Sequence, residues 1–326
     1  MTRTLRLGTL RLGTRRSPLA KTQSGLVAAA VTAATGRAVE LVEITTYGDT
    51  SQATNELLSQ IGGTGVFVNA LREALLRGEV DFAVHSLKDL PTADPEHLVL
   101  AAVPEREDVR DVLIARDGRK LADLPAGARI GTGSPRRAAQ LRLTRPDLQV
   151  VAVRGNVDTR VGFVASGRLD GVVLAYAGLN RLGRIAEATE LFDPADFLPA
   201  PGQGALAVEC REDDAELRGL LAALDHAPTR SAVTAERSLL ATLEAGCHAP
   251  VGGYAQLNHE NERELILSGI VASAEAQSAP TGVPPSVRGS LTGPAERAAR
   301  LGAELAAWLL AQGAADLMTH QVGETQ

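Results

Sequence analysis

Along the first part of the chain, segments whose apolar residues have a helical spacing alternate with segments whose apolar residues have the spacing of a strand. Apolar side chains at Leu19, Val27 and Val31 follow the helical period and predict an amphipathic helix. The alternation over residues 39–45 predicts a strand. Because the two patterns keep exchanging in this way to about residue 200, they indicate the α/β class.

A short phrase occurs twice in this α/β region, as RLGTRRSP at residues 11–18 and as RIGTGSPRR at residues 129–137. Each copy predicts a strand end, a tight turn and a helix start. Ser17 and Ser134 are the expected N-caps, each followed by a proline at the first helical position. A capped helix N-terminus presents free backbone N–H groups and the positive end of the helix dipole, so each copy predicts an anion site.

A second repeated feature follows each phrase. Residues 78–84 and 167–173 share a glycine at a helix end, a following aspartate and an apolar run. We therefore expect two lobes of similar build, each with polar turns at the carboxyl edge of its sheet, where open α/β folds bind ligands. The strand predicted at residues 205–210 returns to the first lobe, so two crossings form a hinge and the two edges line a central cleft rich in arginine.

The pattern changes after Pro228. A helix to about Leu243, strands over residues 251–272, a proline-rich loop at 280–285 and a helix over 294–311 predict a small α+β domain. The predicted domains are a first α/β lobe at residues 1–104 with 203–223, a second α/β lobe at 105–202 and a C-terminal α+β domain at 224–326.

Composition narrows the classes of partner. The 326 residues carry 33 Lys and Arg against 39 Asp and Glu, and only 3% are aromatic, which disfavours a broad nucleic-acid surface. No apolar run reaches the ~18 residues of a membrane helix, and the N-terminus has no signal-peptide pattern. With two cysteines, we expect a cytoplasmic protein without membrane or nucleic-acid partners. No His and Cys spacing fits a metal site, so no metal is expected.

Basic side chains cluster beside the turns that follow predicted strands. Guanidinium groups bind carboxylates and phosphates through two parallel hydrogen bonds, so their shared placement predicts a small ligand with several anionic groups. The set comprises Arg15, Arg16, Lys88, Arg136, Arg137, Arg154, Arg160 and Arg181.

Asp89 is the best acid–base candidate, because it follows a buried strand and enters a turn at the same edge. An alternative is that Asp89 caps the turn before Pro91. His85 is expected to be a core histidine bonded to backbone. Cys247 lies beyond a helix C-terminus, which does not favour a thiolate, so its residue type alone predicts a packed cysteine, as does that of Cys210.

Five motifs, taken together and in order over nearly the whole chain, resemble the porphobilinogen deaminase family, also called hydroxymethylbilane synthase. They are GTRRSPLA at 13–20, HSLKDLP at 85–91, GTGSPRR at 131–137, RGNV at 154–157 and EAGC at 244–247. The resemblance implies a transferase with two lobes like those of periplasmic binding proteins, a hinge, a central cleft and a small α+β C-terminal domain. It also implies a monomer.

The resemblance further implies a covalent dipyrromethane cofactor, held on Cys247 by a thioether. Four porphobilinogen molecules are then deaminated and joined to it head to tail, and hydroxymethylbilane is released by hydrolysis. The partner of the cysteine is a strongly electrophilic azafulvene, so the thiol needs no activation by its surroundings.

The family motifs also carry roles onto individual positions. Asp89 matches the catalytic aspartate. The matching cofactor-binding positions are Lys88, Thr132, Ser134, Arg136, Arg137 and Arg160. The matching substrate-binding positions are Arg15, Ser17, Gln23, Arg154 and Arg181. Phe67 is assigned to a lid and Gln203 to the hinge.

Several positions depart from the usual family motifs. Gln60 and Thr64 stand where the glycine loop usually carries lysines. Ala245 replaces a glycine of the attachment phrase, and Gly133 and Pro135 vary the second copy of the repeated phrase.

Two other functions remain as alternatives. A cytosolic two-lobed sensor of a small polyanion would need neither Cys247 nor Asp89. A nucleic-acid protein would use the arginine turns on phosphates, against which the acidic net charge and the scarcity of aromatic residues argue.

Overall fold

A computed structural model describes residues 8–44, 65–245, 249–273 and 284–319 of the chain. The chain divides into two compact units, Met1–Glu107 with Gly204–Arg230 and Asp108–Gln203 with Ser231–Gln326. Residues 204–230 thus belong to the same compact unit as the N-terminal part of the chain. The three predicted domain boundaries stay a prediction, because the second lobe and the C-terminal region lie in one compact unit.

The described residues form thirteen strands, each bounded as follows: β1 (Leu10–Thr14), β2 (Val39–Glu43), β3 (Phe82–Ser86), β4 (Leu98–Ala102), β5 (Asp111–Ala115), β6 (Arg129–Thr132), β7 (Gln149–Ala152), β8 (Gly171–Ala175), β9 (Glu190–Leu191), β10 (Leu206–Arg211), β11 (Val251–Asn258), β12 (Asn261–Ala272) and β13 (Ser286–Pro294). The α-helices within the same ranges are α1 (Pro18–Thr35), α2 (Gly65–Leu76), α3 (Pro135–Thr144), α4 (Val157–Ala165), α5 (Tyr176–Arg181), α6 (Ala215–Leu221), α7 (Ala227–Thr242), α8 (Ala298–Ala311) and α9 (Ala314–Thr319).

The first unit is built on a sheet with the strand order β2-β1-β3-β10-β4. Strand β1 is parallel to β2 and β3, whereas β10 is antiparallel to β3 and β4. Its core buries Leu12, Phe82 and Val208 from the sheet against Val27 and Val31 of α1. The helical spacing noted in the sequence thus marks the face of α1 that packs on the sheet.

The second unit repeats this plan in the order β7-β6-β8-β5-β9. Strand β6 is parallel to β7 and β8, and β5 is antiparallel to β8 and β9. Asp81 and Asp170 occupy equivalent places, since each accepts a hydrogen bond at 2.8 Å from the backbone N–H of the arginine at the start of its neighbouring strand, Arg11 or Arg129. The predicted pair of similar α/β lobes is confirmed.

Both repeated phrases form the predicted strand, turn and capped helix. The Ser17 hydroxyl accepts the N–H of Ala20 at 3.3 Å, and the Ser134 hydroxyl accepts the N–H of Arg137 at 3.4 Å. Such an N-cap contributes about 1 kcal/mol to helix stability. Helix α1 ends at Gly36, whose φ of 68° is the left-handed conformation that glycine adopts without strain.

The C-terminal part of the second unit is a small α+β domain, as predicted. Antiparallel strands β11, β12 and β13 pack against α7 and α8 around a core that includes Leu239, Leu267 and Leu305. A Cβ at Gly302 would overlap the carbonyl oxygen of Ala235, so this glycine permits the close approach of α8 to α7.

One predicted helix start is wrong. Helix α8 begins at Ala298, not at Pro294, because β13 continues to Pro294 opposite Glu264 and a short 3-10 turn, Ala295–Arg297, intervenes. In the predicted strand over 39–45, β2 ends at Glu43, and residue 45 lies outside the described ranges. Within those ranges, no helix is long and apolar enough to span a bilayer.

Candidate functional site

The first unit gathers its candidate residues at one edge of its sheet. Strands β1 and β3 are parallel and in register at Leu12 and Phe82, so both end at the same edge. Arg15 and Ser17 follow β1, and Lys88 and Asp89 lie in the short 3-10 helix Leu87–Asp89 that follows β3. The sheet topology thus brings together groups that are more than seventy residues apart in sequence.

The turn that carries Asp89 is fixed by its backbone and by two buried leucines. The N–H of Leu87 donates to the Ala205 carbonyl at 3.0 Å, and the N–H of Leu90 donates to the Leu87 carbonyl at 3.1 Å. Leu87 and Leu90 are buried, while Asp89 is half-exposed. The Asp89 carboxylate makes no hydrogen bond or ion pair with any described residue, so the alternative role of capping the turn is not observed. A fixed turn thus presents a carboxylate available to a ligand.

Two further predicted residues hold this edge in place. The buried Gln23 amide donates to the Ser86 hydroxyl at 3.0 Å and so joins α1 to the end of β3. Ser17 uses its oxygen as the N-cap of α1, which leaves its hydroxyl hydrogen available for donation. Arg16 instead pairs with the exposed Glu43 at 3.6 Å, and its side chain is 63% exposed, so it lies outside this group.

A buried acid, Glu209, lies on β10, the strand next to β3, opposite Ala83. Arg72 donates two hydrogen bonds to Glu209, at 3.0 and 2.7 Å, and Nε2 of His85 lies 3.2 Å from the same carboxylate. Burial raises the pKa of Glu209, but the contacts with His85 and Arg72 outweigh burial and lower it to about 2. The prediction of a core histidine is confirmed, but its side-chain partner is a carboxylate rather than backbone. An acid inside the apolar strand segment 205–210 was the signal in the sequence, and it was missed.

The matching edge of the second unit is formed by the ends of β6 and β8. The buried Thr132 hydroxyl accepts the N–H of Ser134 at 3.1 Å, and Ser134 caps α3. Arg136 and Arg137, in the first turn of α3, are both buried. The edge therefore combines a helix N-terminus with two guanidinium groups, as predicted for an anion site.

Asp111 joins the two arginines. One of its oxygens accepts from Nε and Nη2 of Arg137, at 3.0 and 2.7 Å, and from the Gln203 amide at 2.8 Å; the other lies 2.7 Å from Nη1 of Arg136. Burial raises the pKa of Asp111, but the charges of Arg136 and Arg137 outweigh it and hold that pKa well below its usual range. Asp111 is not among the predicted site residues, although an acid directly before the apolar segment 112–115 is a signal that the sequence carries.

Arg160 adds a further positive charge. Its Nε donates to the Gly155 carbonyl at 2.8 Å, and burial together with the charge of Arg137 lowers its pKa. Among the described residues, no carboxylate pairs with Arg160. Arg154, in the turn before α4, is exposed, and Arg181 ends α5 half-buried.

These features fit a group that carries carboxylates. Two buried guanidinium groups share one buried carboxylate, and a third guanidinium is close enough to be affected by Arg137. Nε of Arg136 is buried and has no hydrogen-bond partner within the described part of the chain. A buried unpaired donor is costly, so an acceptor from a ligand is expected there.

Several predicted site residues cannot be placed. Cys247 lies in the undescribed stretch 246–248, and Gln60 and Thr64 lie outside the described residues. Phe67 belongs to α2, but its side chain is likewise outside the description. Near the cysteine, Glu244 follows α7 with a left-handed φ of 52°. Gln203 is fully buried against Asp111 and Val109, so its contacts tie it to the arginine pair, while its hinge role stays a prediction.

Two family models match the chain. The model of the dipyrromethane cofactor-binding domain of porphobilinogen deaminase matches residues 10–219, and that of the porphobilinogen deaminase C-terminal domain matches residues 230–311. Porphobilinogen deaminase 1 of Streptomyces coelicolor is 62% identical over 319 residues, covering 95% of this chain and 97% of that protein. Porphobilinogen deaminase of Thermobifida fusca is 62% identical over 270 residues, covering 82% and 83%.

Solved structures of low identity also match. A periplasmic substrate-binding protein from Coxiella burnetii aligns with 17% identity and a TM-score of 0.42, covering 66% of this chain and 92% of that one. The methionine-binding protein MetQ aligns with 13% identity and a TM-score of 0.40, covering 66% and 88%.

The relatives in sequence extend over nearly the full length of the chain, and the models span both the lobes and the C-terminal domain. The chain belongs to the porphobilinogen deaminase family.

Proposed function

We propose that the second unit binds the dipyrromethane cofactor through its arginine-rich edge and that the first unit supplies the acid–base group, Asp89. The chain is a transferase that condenses four porphobilinogen molecules head to tail into hydroxymethylbilane and releases ammonia. The observation that carries the division of roles is electrostatic. Two buried guanidinium groups share one carboxylate in the second unit, whereas the first presents a carboxylate that has no partner among the described residues.

Cofactor binding falls to the helix N-terminus and the basic groups around it. The acetate and propionate carboxylates of the cofactor match guanidinium donors in geometry and charge. When bound, the dipyrromethane supplies the terminal pyrrole carbon to which substrate units are added. The proposed attachment point is Cys247, and the side chains of the second unit proposed to bind its carboxylates are Thr132, Ser134, Arg136, Arg137 and Arg160. Lys88, from the first unit, is proposed for the same role.

Substrate binding uses the same chemistry, since porphobilinogen carries one acetate and one propionate. The side chains proposed to hold them are Arg15, Ser17, Gln23, Arg154 and Arg181. Gln23 already donates one amide N–H to Ser86, so its second amide N–H is the one available to a substrate carboxylate. Phe67 is proposed to belong to a lid.

Asp89 acts on the substrate amine. The C–N bond of the aminomethyl group breaks, and the nitrogen leaves as ammonia with a proton that a positioned carboxyl group delivers. As a carboxylate, Asp89 then stabilises positive charge on the pyrrole nitrogen and accepts the proton lost when the new carbon–carbon bond is completed. One side chain that alternates between acid and base suits a reaction repeated four times.

The intact mass of the purified chain tests the cofactor and its attachment together. We expect an excess of two condensed pyrrole units over the sequence mass in the parent and none in Cys247→Ser. Cys210→Ser is the matched control, because Cys210 is buried and its pKa is raised to about 12 by burial, so this variant should keep the excess. If porphobilinogen binds without added mass or ammonia release, the chain is instead a sensor of that polyanion.

The cellular setting is a further part of the proposal. We place the chain in the cytoplasm as a monomer without nucleic-acid or membrane partners, which its acidic net charge and few cysteines support. Light scattering after gel filtration should give the mass of a single chain.

A further inference from the structure

Asp111 lies at the arginine-rich edge because of the direction of its strand. It is the first residue of β5, which runs antiparallel to β8 with Asp111 opposite Ala175. The start of β5 therefore reaches the same edge as the end of β8, beside the N-terminus of α3. Asp111 is fully buried there, although it starts its strand instead of following one.

Three side chains converge on this one carboxylate, and other contacts fix them. Nη1 of Arg136 also donates to the Leu198 carbonyl at 2.6 Å, and Nη1 of Arg137 donates to the Val173 carbonyl at 3.1 Å. The Gln203 amide donates both to Asp111 and to the Val109 carbonyl, at 2.8 and 2.7 Å. Each guanidinium plane is thus held from two directions, and Asp111 is common to both.

The charge balance explains why an acid is needed before any ligand arrives. Two adjacent buried cations repel each other: burial lowers the pKa of Arg136, the charge of Arg137 lowers it further, and the charge of Asp111 opposes both. A single carboxylate offsets one of the two positive charges and leaves one. The pair is therefore kept in place and still attracts an anion, which Nε of Arg136, without a partner among the described residues, is suited to bind.

We propose that Asp111 is a positioning residue that orients Arg136 and Arg137 for cofactor assembly, and that Gln203 holds Asp111 in that role. Before the cofactor is bound, Asp111 supplies the negative charge beside the two arginines that the cofactor carboxylates supply later. The inference rests on the proposed function, because it assumes that the arginine pair binds the cofactor. It assigns no contact between Asp111 and the substrate.

The test follows cofactor loading rather than turnover. The Asp111→Asn variant is purified as the full chain, and the fraction of molecules that carry the two-pyrrole mass excess is measured. The molecules without the excess are then incubated with porphobilinogen, and the increase of their mass is followed over time. We expect loading to slow by at least about tenfold, because a charge-assisted bond to both arginines is lost. For chains that do load, KM for porphobilinogen should rise more than kcat falls.

Leu121→Ala is the matched control. Leu121 is buried in the same lobe but follows β5, at the opposite edge of the sheet, so this variant lowers stability without touching the arginines. It should load like the parent at a temperature well below its Tm. Two results would show that Asp111 has no positioning role. One is that Asp111→Asn takes up the cofactor at the parental rate, and the other is that its uptake is no slower than that of Leu121→Ala when the two variants have the same Tm.

Gln203→Met covers the case in which Asp111→Asn does not fold, because it keeps the charges and removes one donor to Asp111. Loading should slow by about threefold, in line with the loss of one hydrogen bond. Parental loading and KM in this variant would overturn the proposal. A parent chain without the mass excess, even after incubation with porphobilinogen, would instead refute the proposed function itself.

Discussion

The two lobes share one sheet plan and place their buried acid differently. In each, three parallel strands are followed across the sheet by an antiparallel fourth, β10 in the first lobe and β5 in the second. Glu209 lies within β10, opposite Ala83, and is bound by Arg72 and His85. Asp111 lies at the very start of β5 and is bound by the arginine pair.

This difference changes what each edge offers. In the first lobe, Arg72 and His85 bind the internal acid, and Asp89 at the edge makes no hydrogen bond or ion pair with any described residue. In the second lobe the acid itself lies at the edge and organises two guanidinium groups whose charge it only half offsets. Under the proposed division of roles, one sheet plan thus serves for an acid–base group in the first lobe and for an anion site in the second.

Asp89→Ala tests the first half of this comparison and should have the largest effect. We expect turnover to fall by about 10³-fold, in the range of a lost general acid–base group. The two-pyrrole mass excess should remain at least in part, because the second lobe is intact. Ammonia release from porphobilinogen measures the rate, and intact mass measures the cofactor.

Asp94→Ala is the control for that variant, since Asp94 is exposed in the loop that follows the same turn. Its turnover should equal that of the parent. A rate within a few-fold of the parent in Asp89→Ala would remove Asp89 from its assigned role.

Arg136→Ala tests the second half. It removes the buried guanidinium whose Nε has no partner in the described part of the chain, and leaves Arg137 with Asp111. Loading with the two-pyrrole unit should fall by about 10- to 100-fold, because a charge-assisted contact to a carboxylate is lost. Arg129→Ala is the matched control, because Arg129 is exposed at the opposite end of β6, and it should load normally. Equal loading in the two variants would contradict the binding role of Arg136.

Glu209→Gln tests whether the buried acid of the first lobe contributes to stability. The pKa of Glu209 lies at about 2 in the folded chain, below the ordinary carboxyl value, so its contribution to stability is present at neutral pH and is lost as pH falls from about 4.5 towards 2. We expect the variant to lose about 3 kcal/mol at pH 7, as for a broken buried pair, and much less near pH 3.

Urea unfolding followed by circular dichroism at the two pH values measures that difference. Glu73→Gln is the control, because Glu73 pairs with Arg77 on the exposed face of α2 and such pairs contribute little. A destabilisation by Glu209→Gln that does not change with pH would show that the ion pair is not its cause.

The capped helices at both edges could be predicted from the sequence, whereas the two buried acids, Asp111 and Glu209, could not. Ser17 and Ser134 act through neighbours three residues away, so the phrases themselves predict the capped helices. The place of Asp111 and Glu209 depends on which strands are antiparallel, and no short segment carries that information. Asp111 also lies at the start of a strand, whereas the predicted site residues lie beside turns that follow strands.

Other parts of the site came from resemblance alone. Nothing in the spacing around Cys247 indicates a cofactor, and the five family motifs supplied that role. At Pro294 a local signal gave a wrong prediction. A proline is typical of a helix start, but this one ends β13, where it pairs with β12. Pairing over nine residues outweighs the local preference of one.

Arg15→Ala and Arg16→Ala give the smallest and most local test of the comparison. The two arginines are adjacent, but Arg15 is half-buried at the edge, whereas Arg16 lies on the surface beside Glu43. Because exposed ion pairs contribute little, Arg16→Ala should leave KM for porphobilinogen within about twofold of the parent. Arg15→Ala should raise KM by about tenfold, as expected for a lost guanidinium–carboxylate contact. Equal KM values in the two variants would mean that the sheet edge does not select which basic side chain reaches the substrate.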